Sequence, residues 1–273
     1  MSFTVFGAGG FIGSHLVRHL QENGAECFAP ERGDRSIFTQ PLGHVIYCIG
    51  LTADFRKRPF DTIEAHVCLL KEVLRRARFD SFLYLSSTRV YRGLPSGDEE
   101  ASIAVNPQDP DDLYNLSKLA GEALCFAAGR AGTRVVRMSN VYGSGMPEDN
   151  FLAAVMREAV GRGAVRLRTG RDAAKDYVDI ADVVPVLTRI AEAGQERLYN
   201  LASGANISNG TLIDRLQQLT SCQLSVAPDA PAPVFPPIRI DRVRREFDFA
   251  PGSLMEALDR LVQNVKEELI ACD

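Results

Sequence analysis

A chain of 273 residues, 45% apolar and 24% charged, has the make-up of an ordinary globular protein, long enough for one large domain or a domain with a smaller lobe. A net charge of −4 argues against a nucleic-acid or anionic-membrane surface, so the expected partners are small molecules held by local cations. The six cysteines fall singly, with no Cys-x-x-Cys pair and no matching His spacing, which speaks against zinc and a disulfide framework and for a reducing, cytoplasmic setting.

The first stretch, Ser2 to Gly13, sets the organisation. A short β-prone run (Phe3, Val5, Phe6) stops at Gly7, and glycines recur at Gly10 and Gly13. Behind them Ile12, Leu16, Val17 and Leu20 repeat at helical spacing, so the glycines occupy a strand-to-helix turn. The bare backbone of the glycines lets the N–H groups of Gly10, Phe11, Ile12 and Gly13 approach a pyrophosphate at the positive end of a helix. A strand starting at about residue 3 leaves no room for a signal peptide, and no apolar run reaches membrane-spanning length.

The helix is expected from Ser14 to Asn23, ending at Gly24. A strand from Glu26 to Ala29 runs into Pro30-Glu31-Arg32-Gly33-Asp34-Arg35, where a dinucleotide's adenosine ribose is met. A carboxylate such as Glu31 there suits a 2′-hydroxyl and an arginine such as Arg32 a 2′-phosphate; the arginines tip the balance towards the phosphorylated cofactor. His44 to Gly50 reads as a strand buried on both faces. The gap before it hardly accommodates another strand and helix, so the sheet is expected to lack one strand near the adenine end. The helix expected from Asp61 to Arg78 is apolar beyond a single stripe, which requires deep burial or cover by a second copy. A homodimer is the expectation.

Phe82 to Ser86 is the next buried strand, ending in Ser86-Ser87-Thr88, where carboxyl strand ends face a ligand. After a polar, Pro-rich loop, a helix from about Asp111 to Gly129 carries Tyr114 and Lys118, four apart and so on one face. A phenol near its reference pKa of about 10 carries protons poorly at neutral pH, and a neighbouring ammonium favours the phenolate. A drop of 2–3 units is worth about 3–4 kcal/mol. Tyr114 then exchanges a proton with a carbinol or carbonyl oxygen that Ser87 also binds, while hydride moves to or from a nicotinamide.

The later chain reads as a strand from Arg134 to Met138, a Gly143-Ser-Gly-Met-Pro147 segment suited to a lid, and a helix from about Asn150 to Arg162. A strand-like stretch with alternating arginines at 166, 168 and 171 comes next, then a helix from about Ala181 to Ala193 and a strand at Leu198 to Leu201. An irregular Ala- and Pro-rich connection (Ala227 to Pro237) and a final helix from Ser253 to about Ile270 close the chain.

With these motifs in view, the sequence resembles an extended short-chain dehydrogenase/reductase of the NAD-dependent epimerase/dehydratase group, which acts on nucleotide sugars. The matching residues are Gly7, Gly10 and Gly13; Ser87 to Tyr91; Tyr114-Asn-Leu-Ser-Lys118; Arg137 to Gly143; Lys175 to Asp182; and Leu198 to Gly204. The resemblance implies NAD or NADP as cofactor and Ser87, Tyr114 and Lys118 as the catalytic triad. It places Thr88, Asn140, Lys175 and Arg239 against the substrate. The fold it implies is α/β, a Rossmann-type doubly wound parallel sheet with a smaller C-terminal substrate-binding lobe. Residues 1–143 and about 177–203 make the sheet domain, and about 144–176 and 204–273 the lobe. Three departures stand out. Thr88 and Arg89 replace the acidic pair that dehydratases use, Lys175 replaces an arginine, and His66 stands where the group often has Asn. The expected activity is 4-keto reduction of a nucleotide sugar, with 4-epimerisation on retained NAD as the alternative and a non-catalytic NAD(P) sensor as a third.

Overall fold

The computed structural model describes residues 1–51 and 54–272. In chain order the first half holds β1 (Ser2–Phe6), α1 (Phe11–Glu22), β2 (Glu26–Phe28), β3 (His44–Tyr47), α2 (Pro59–Ile63), α3 (Leu69–Arg76), β4 (Ser81–Ser87), α4 (Leu113–Ala127) and β5 (Thr133–Met138). A π turn, Glu64–Cys68, joins α2 and α3 into one continuous helical run. The second half adds β6 (Asn140–Tyr142), α5 (Phe151–Arg157), β7 (Ala164–Leu167), β8 (Ala174–Asp179), α6 (Ile180–Ala193) and β9 (Leu198–Leu201). It ends with β10 (Asn206–Ser208), α7 (Asn209–Thr220), β11 (Gln223–Val226), α8 (Asp241–Phe247) and α9 (Leu254–Cys272).

Six strands form one sheet in the order β2-β1-β3-β4-β5-β9, every neighbour parallel. Parallel neighbours need crossovers, so helices cover both faces. The period-two alternation of β4 shows this: Leu83 and Leu85 pack with α1 and α6 residues such as Leu16, Leu20 and Leu187. Phe82 and Tyr84 face the other way, against Leu70, Val73, Leu74 and Cys125. The fold is thus a doubly wound, Rossmann-type sheet. Its strand order reverses at β1, with β2 on one side and β3 on the other, and the crevice at such a reversal is where ligands bind. Between β2 and β3 there is only a 3₁₀ turn, Arg35–Phe38, so among the described residues the sheet ends at β2 and lacks the strand whose absence the short gap predicts.

A second, smaller hydrophobic cluster contains α5, α7 and α9 over β6, β7, β8 and β11, with Met156, Leu212, Ile213, Leu216, Leu258 and Val262 buried in it. β8 pairs antiparallel with β10 and parallel with β6, and β7 pairs parallel with β11. α7 is not among the expected elements, although Leu212, Ile213, Leu216 and Leu219 recur at helical spacing; its N-terminus is capped by the Ser208 hydroxyl accepting from the Thr211 N–H at 3.0 Å. Residues 227–237 carry no regular structure, as their prolines imply. The stretch that follows, with Ile238, Ile240, Val243, Phe247 and Phe249, packs in the cluster of the large sheet although it lies inside the 204–273 span.

Candidate active site

The turn after β1 is shaped by two glycines. Gly7 has φ +79°, and a Cβ there would lie 3.1 Å from the backbone of Cys48 and Ile49, just past β3. A Cβ on Gly13 would lie 2.2 Å from the Gly7 carbonyl oxygen, so only a bare α-carbon lets α1 pack on its own turn. Gly10 precedes α1 in an extended conformation with no side-chain cap, and the helix ladder begins only with the Ser14 N–H on the Gly10 carbonyl, 2.9 Å. The first-turn N–H groups of Phe11, Ile12 and Gly13 are therefore left without intrahelical acceptors at the positive end of a helix. Gly10 to Gly13 line a cleft of about 650 Å³ at the carboxyl edge of the sheet. This donor set and the bare turn fit a dinucleotide pyrophosphate. Glu31 and Arg32 follow β2 on an exposed turn and lie outside the cleft lining.

The same cleft is lined by Ser87, Thr88, Tyr114, Lys118, Asn140 and Lys175. Ser87 ends β4, where its hydroxyl accepts from the Arg89 N–H at 3.2 Å. Tyr114 and Lys118 share the inner face of α4 and are 4% and 5% exposed. A 3₁₀ turn, Pro110–Asp112, leads into α4, and Asp109 caps that turn by accepting from the Asp111 N–H, 2.9 Å. Lys118 Nζ donates to the Leu85 carbonyl at 2.8 Å and lies 6.0 Å from the centre of the Tyr114 ring. Burial brings this ammonium down to about 8, opposed by Glu122. Burial also pushes the Tyr114 phenol above its usual value, against the pull of the Ser87 side chain and the Arg89 guanidinium. The expectation that the neighbouring ammonium brings the phenol down is therefore revised for the free protein, where desolvation by burial outweighs the charges around the ring.

His66 has a defined place. It is fully buried on the π turn, edge-on to the Tyr114 ring with 5.5 Å between centres. The Leu51 N–H donates to its Nε2 at 3.1 Å, so Nδ1 carries the proton and donates to the Ser117 hydroxyl at 2.8 Å. Ser117 in turn donates to the Tyr114 carbonyl, 2.8 Å. This relay ties the segment after β3 to the first turn of α4. Burial and Lys118 push the imidazole down to about 2, so it stays neutral.

A second buried network braces the strand ends. Arg137 of β5 forms a two-pronged pair with Glu122 of α4, at 3.0 and 2.7 Å, and donates to the Tyr91 hydroxyl at 2.8 Å. Tyr91 donates onward to Asn200 of β9, and Ser86 donates to Glu122. Asn140 donates to the Asp176 carbonyl, and Lys175 Nζ lies over Phe151, 4.9 Å from the ring centre, lowered by burial and by Arg89. The Asp176 carboxylate is occupied by the Ser203 and Gly204 N–H groups and the Ser203 hydroxyl. Arg239 is not brought to the cleft. Its side chain is exposed and paired with Asp241 at 2.8 Å and Asp98 at 3.6 Å, while the flanking Ile238 and Ile240 are buried. Cys48, Gly50 and Phe235 line the cleft without any sequence signal that marks them.

The profile of the NAD dependent epimerase/dehydratase family matches residues 3–202. The chain belongs to that family. Among its relatives is a dTDP-4-dehydro-6-deoxy-D-allose reductase from Streptomyces sp, 25% identical over 303 aligned positions that cover 93% of each chain. A UDP-glucose 4-epimerase from Streptococcus mutans is 26% identical and covers 81% of this chain and 82% of its own. The solved structure of MoeE5 in complex with UDP-glucose and NAD superposes with a TM-score of 0.85 at 20% identity, covering 98% of this chain and all of the other. Family membership makes this an NAD(P)-dependent enzyme of nucleotide-sugar modification.

Proposed function

We propose that the protein reduces the 4-keto group of a nucleotide sugar with NADPH. The observation that carries this reading is one cleft that holds both the bare glycine turn and the Ser87, Tyr114 and Lys118 side chains. When bound, the reduced nicotinamide supplies a hydride to the sugar carbonyl carbon. Ser87 donates a hydrogen bond to the carbonyl oxygen, Tyr114 gives that oxygen its proton, and Lys118 holds positive charge beside the phenol. The N–H groups of Phe11, Ile12 and Gly13 bind the pyrophosphate, and Glu31 and Arg32 stand where the adenosine ribose is read. Arg32 favours the 2′-phosphate. Thr88, Asn140 and Lys175 are the proposed substrate contacts; Arg239 is left out because Asp241 and Asp98 already hold it.

Reduction is favoured over dehydration because Thr88 and Arg89 stand in place of an acid and a base, and over epimerisation by the shortened adenine side. The reductase relative that spans nearly the whole chain agrees with it. Epimerisation is the second reading, supported by the 4-epimerase relative. Two copies are proposed to pair along the α2–α3 run, where Phe60 is 88% exposed, and light scattering tests that. The function is tested by incubating the protein with NADPH or NADH and a panel of 4-keto and 4-hydroxy nucleotide sugars while following the reduced nicotinamide. Consumption with a 4-keto sugar is expected. Cofactor that copurifies tightly and interconversion of 4-hydroxy sugars without net consumption would replace the reductase by the epimerase.

A further inference from the structure

Arg89 is a cation in an unusual place. It follows the strand-end hydroxyls Ser87 and Thr88, and its guanidinium packs against two rings that also touch each other, 5.0 Å from the centre of Phe55 and 5.5 Å from that of Tyr114. One arm donates to the Asp111 carbonyl at 3.1 Å, while its Nε is buried without a hydrogen-bond partner among the described residues. The only carboxylate among its principal charged neighbours in the described residues is Asp111, which is already bonded to Arg56 and faces Arg92 as well. The guanidinium charge is thus poorly neutralised. Lys118, the other cation beside this phenol, lies slightly farther from the ring and commits a donor to the Leu85 carbonyl.

We propose that Arg89 is a tuning and positioning residue for Tyr114: packed against both Phe55 and the Tyr114 ring, it supplies positive charge that favours the phenolate, beside that of Lys118. The proposal rests on Tyr114 being the proton carrier. Burial raises the phenol, and Arg89 is a charge that opposes it. The other groups around the ring do not replace this charge. Ser87 is neutral, His66 stays unprotonated, and Tyr84 is itself held protonated by burial. An opposite charge at about this distance moves a pKa by roughly one unit or more, a tenfold change in phenolate at fixed pH.

The test is a pH titration of protein labelled with ¹³Cζ-tyrosine, free and with saturating NADP⁺ or NAD⁺. The Tyr114 resonance is the one missing from Y114F. In R89Q and R89M its midpoint is expected to rise by about one pH unit, whereas R89K keeps it with the wild type. Two neutral variants serve in case one folds poorly. Equal midpoints in the wild type and the neutral variants would overturn the proposal. So would an R89K midpoint that follows the neutral variants, or a wild-type phenol that stays un-ionised until alkaline unfolding. Failure of the proposed function shows itself separately, as undiminished turnover by Y114F or as no binding of either cofactor.

Discussion

Replacing Gly13 by alanine separates two physical expectations that differ in sign. Gly13 sits in the first turn of α1, and on helix propensity alone alanine would stabilise by up to about 1 kcal/mol. The packing says otherwise. The new Cβ would lie 2.2 Å from the Gly7 carbonyl oxygen, 2.8 Å from its carbon and 2.9 Å from the Ala8 α-carbon. All three are backbone atoms that cannot rotate away, so turn and helix must separate by about 1 Å, a strain of roughly 1–3 kcal/mol. Because the shifted N–H groups are those proposed to bind the pyrophosphate, a displacement of that size lowers cofactor affinity by about tenfold or more. Gly9 is the control: a Cβ there meets nothing within 4 Å, and its φ is not positive. Urea unfolding and calorimetric titration with NADPH on G13A and G9A decide the matter. A G13A protein as stable as the wild type that binds NADPH within a factor of about two would refute the reasoning.

Tyr114→Phe keeps the ring and its packing but removes the proton, so turnover falls by about 10²–10⁴-fold while cofactor binding, read by fluorescence quenching, is retained. Glu122→Gln leaves the Arg137 charge buried with half its partner gone, and a loss of about 3–5 kcal/mol in urea unfolding is expected. His66 makes the fold acid-sensitive. Its folded value is depressed to about 2, so the unfolded chain binds the extra proton as pH falls below its normal value near 6.5, and stability declines there. Above that pH the contribution is complete and flat. Between about pH 6 and 4 the wild type should lose up to about 1.4 kcal/mol per pH unit that His66→Gln does not lose, measured as unfolding free energy against pH.

The sheet and the site were legible to different degrees for physical reasons. The parallel strands declare themselves because burial on both faces leaves continuous apolar runs, as in His44 to Tyr47, and the strand missing beside β2 follows from the shortness of the gap. The glycine turn and the Tyr114/Lys118 pair are local in sequence, with spacing that maps directly onto helix geometry. What could not be read is what forms only across long sequence distance. Glu122, Arg137, Tyr91 and Asn200 meet in one buried network although nothing in their spacing links them. The His66 relay depends on a π turn that no periodicity marks. The resemblance places Arg239 at the substrate, whereas its side chain lies outside the cleft lining, paired with Asp241 two residues on. β6 and β10 are only three residues long, too short for a pattern to show, so their order comes from packing.

The most direct measurement uses NADPH deuterated at the transferring position, a 4-keto-6-deoxy nucleotide sugar, and mass spectrometry and NMR of the product. Deuterium bound to the sugar's C4, appearing in step with oxidised cofactor for the wild type and nearly absent for Y114F, is the result the account predicts. A Y114F protein that transfers deuterium as fast as the wild type would contradict it.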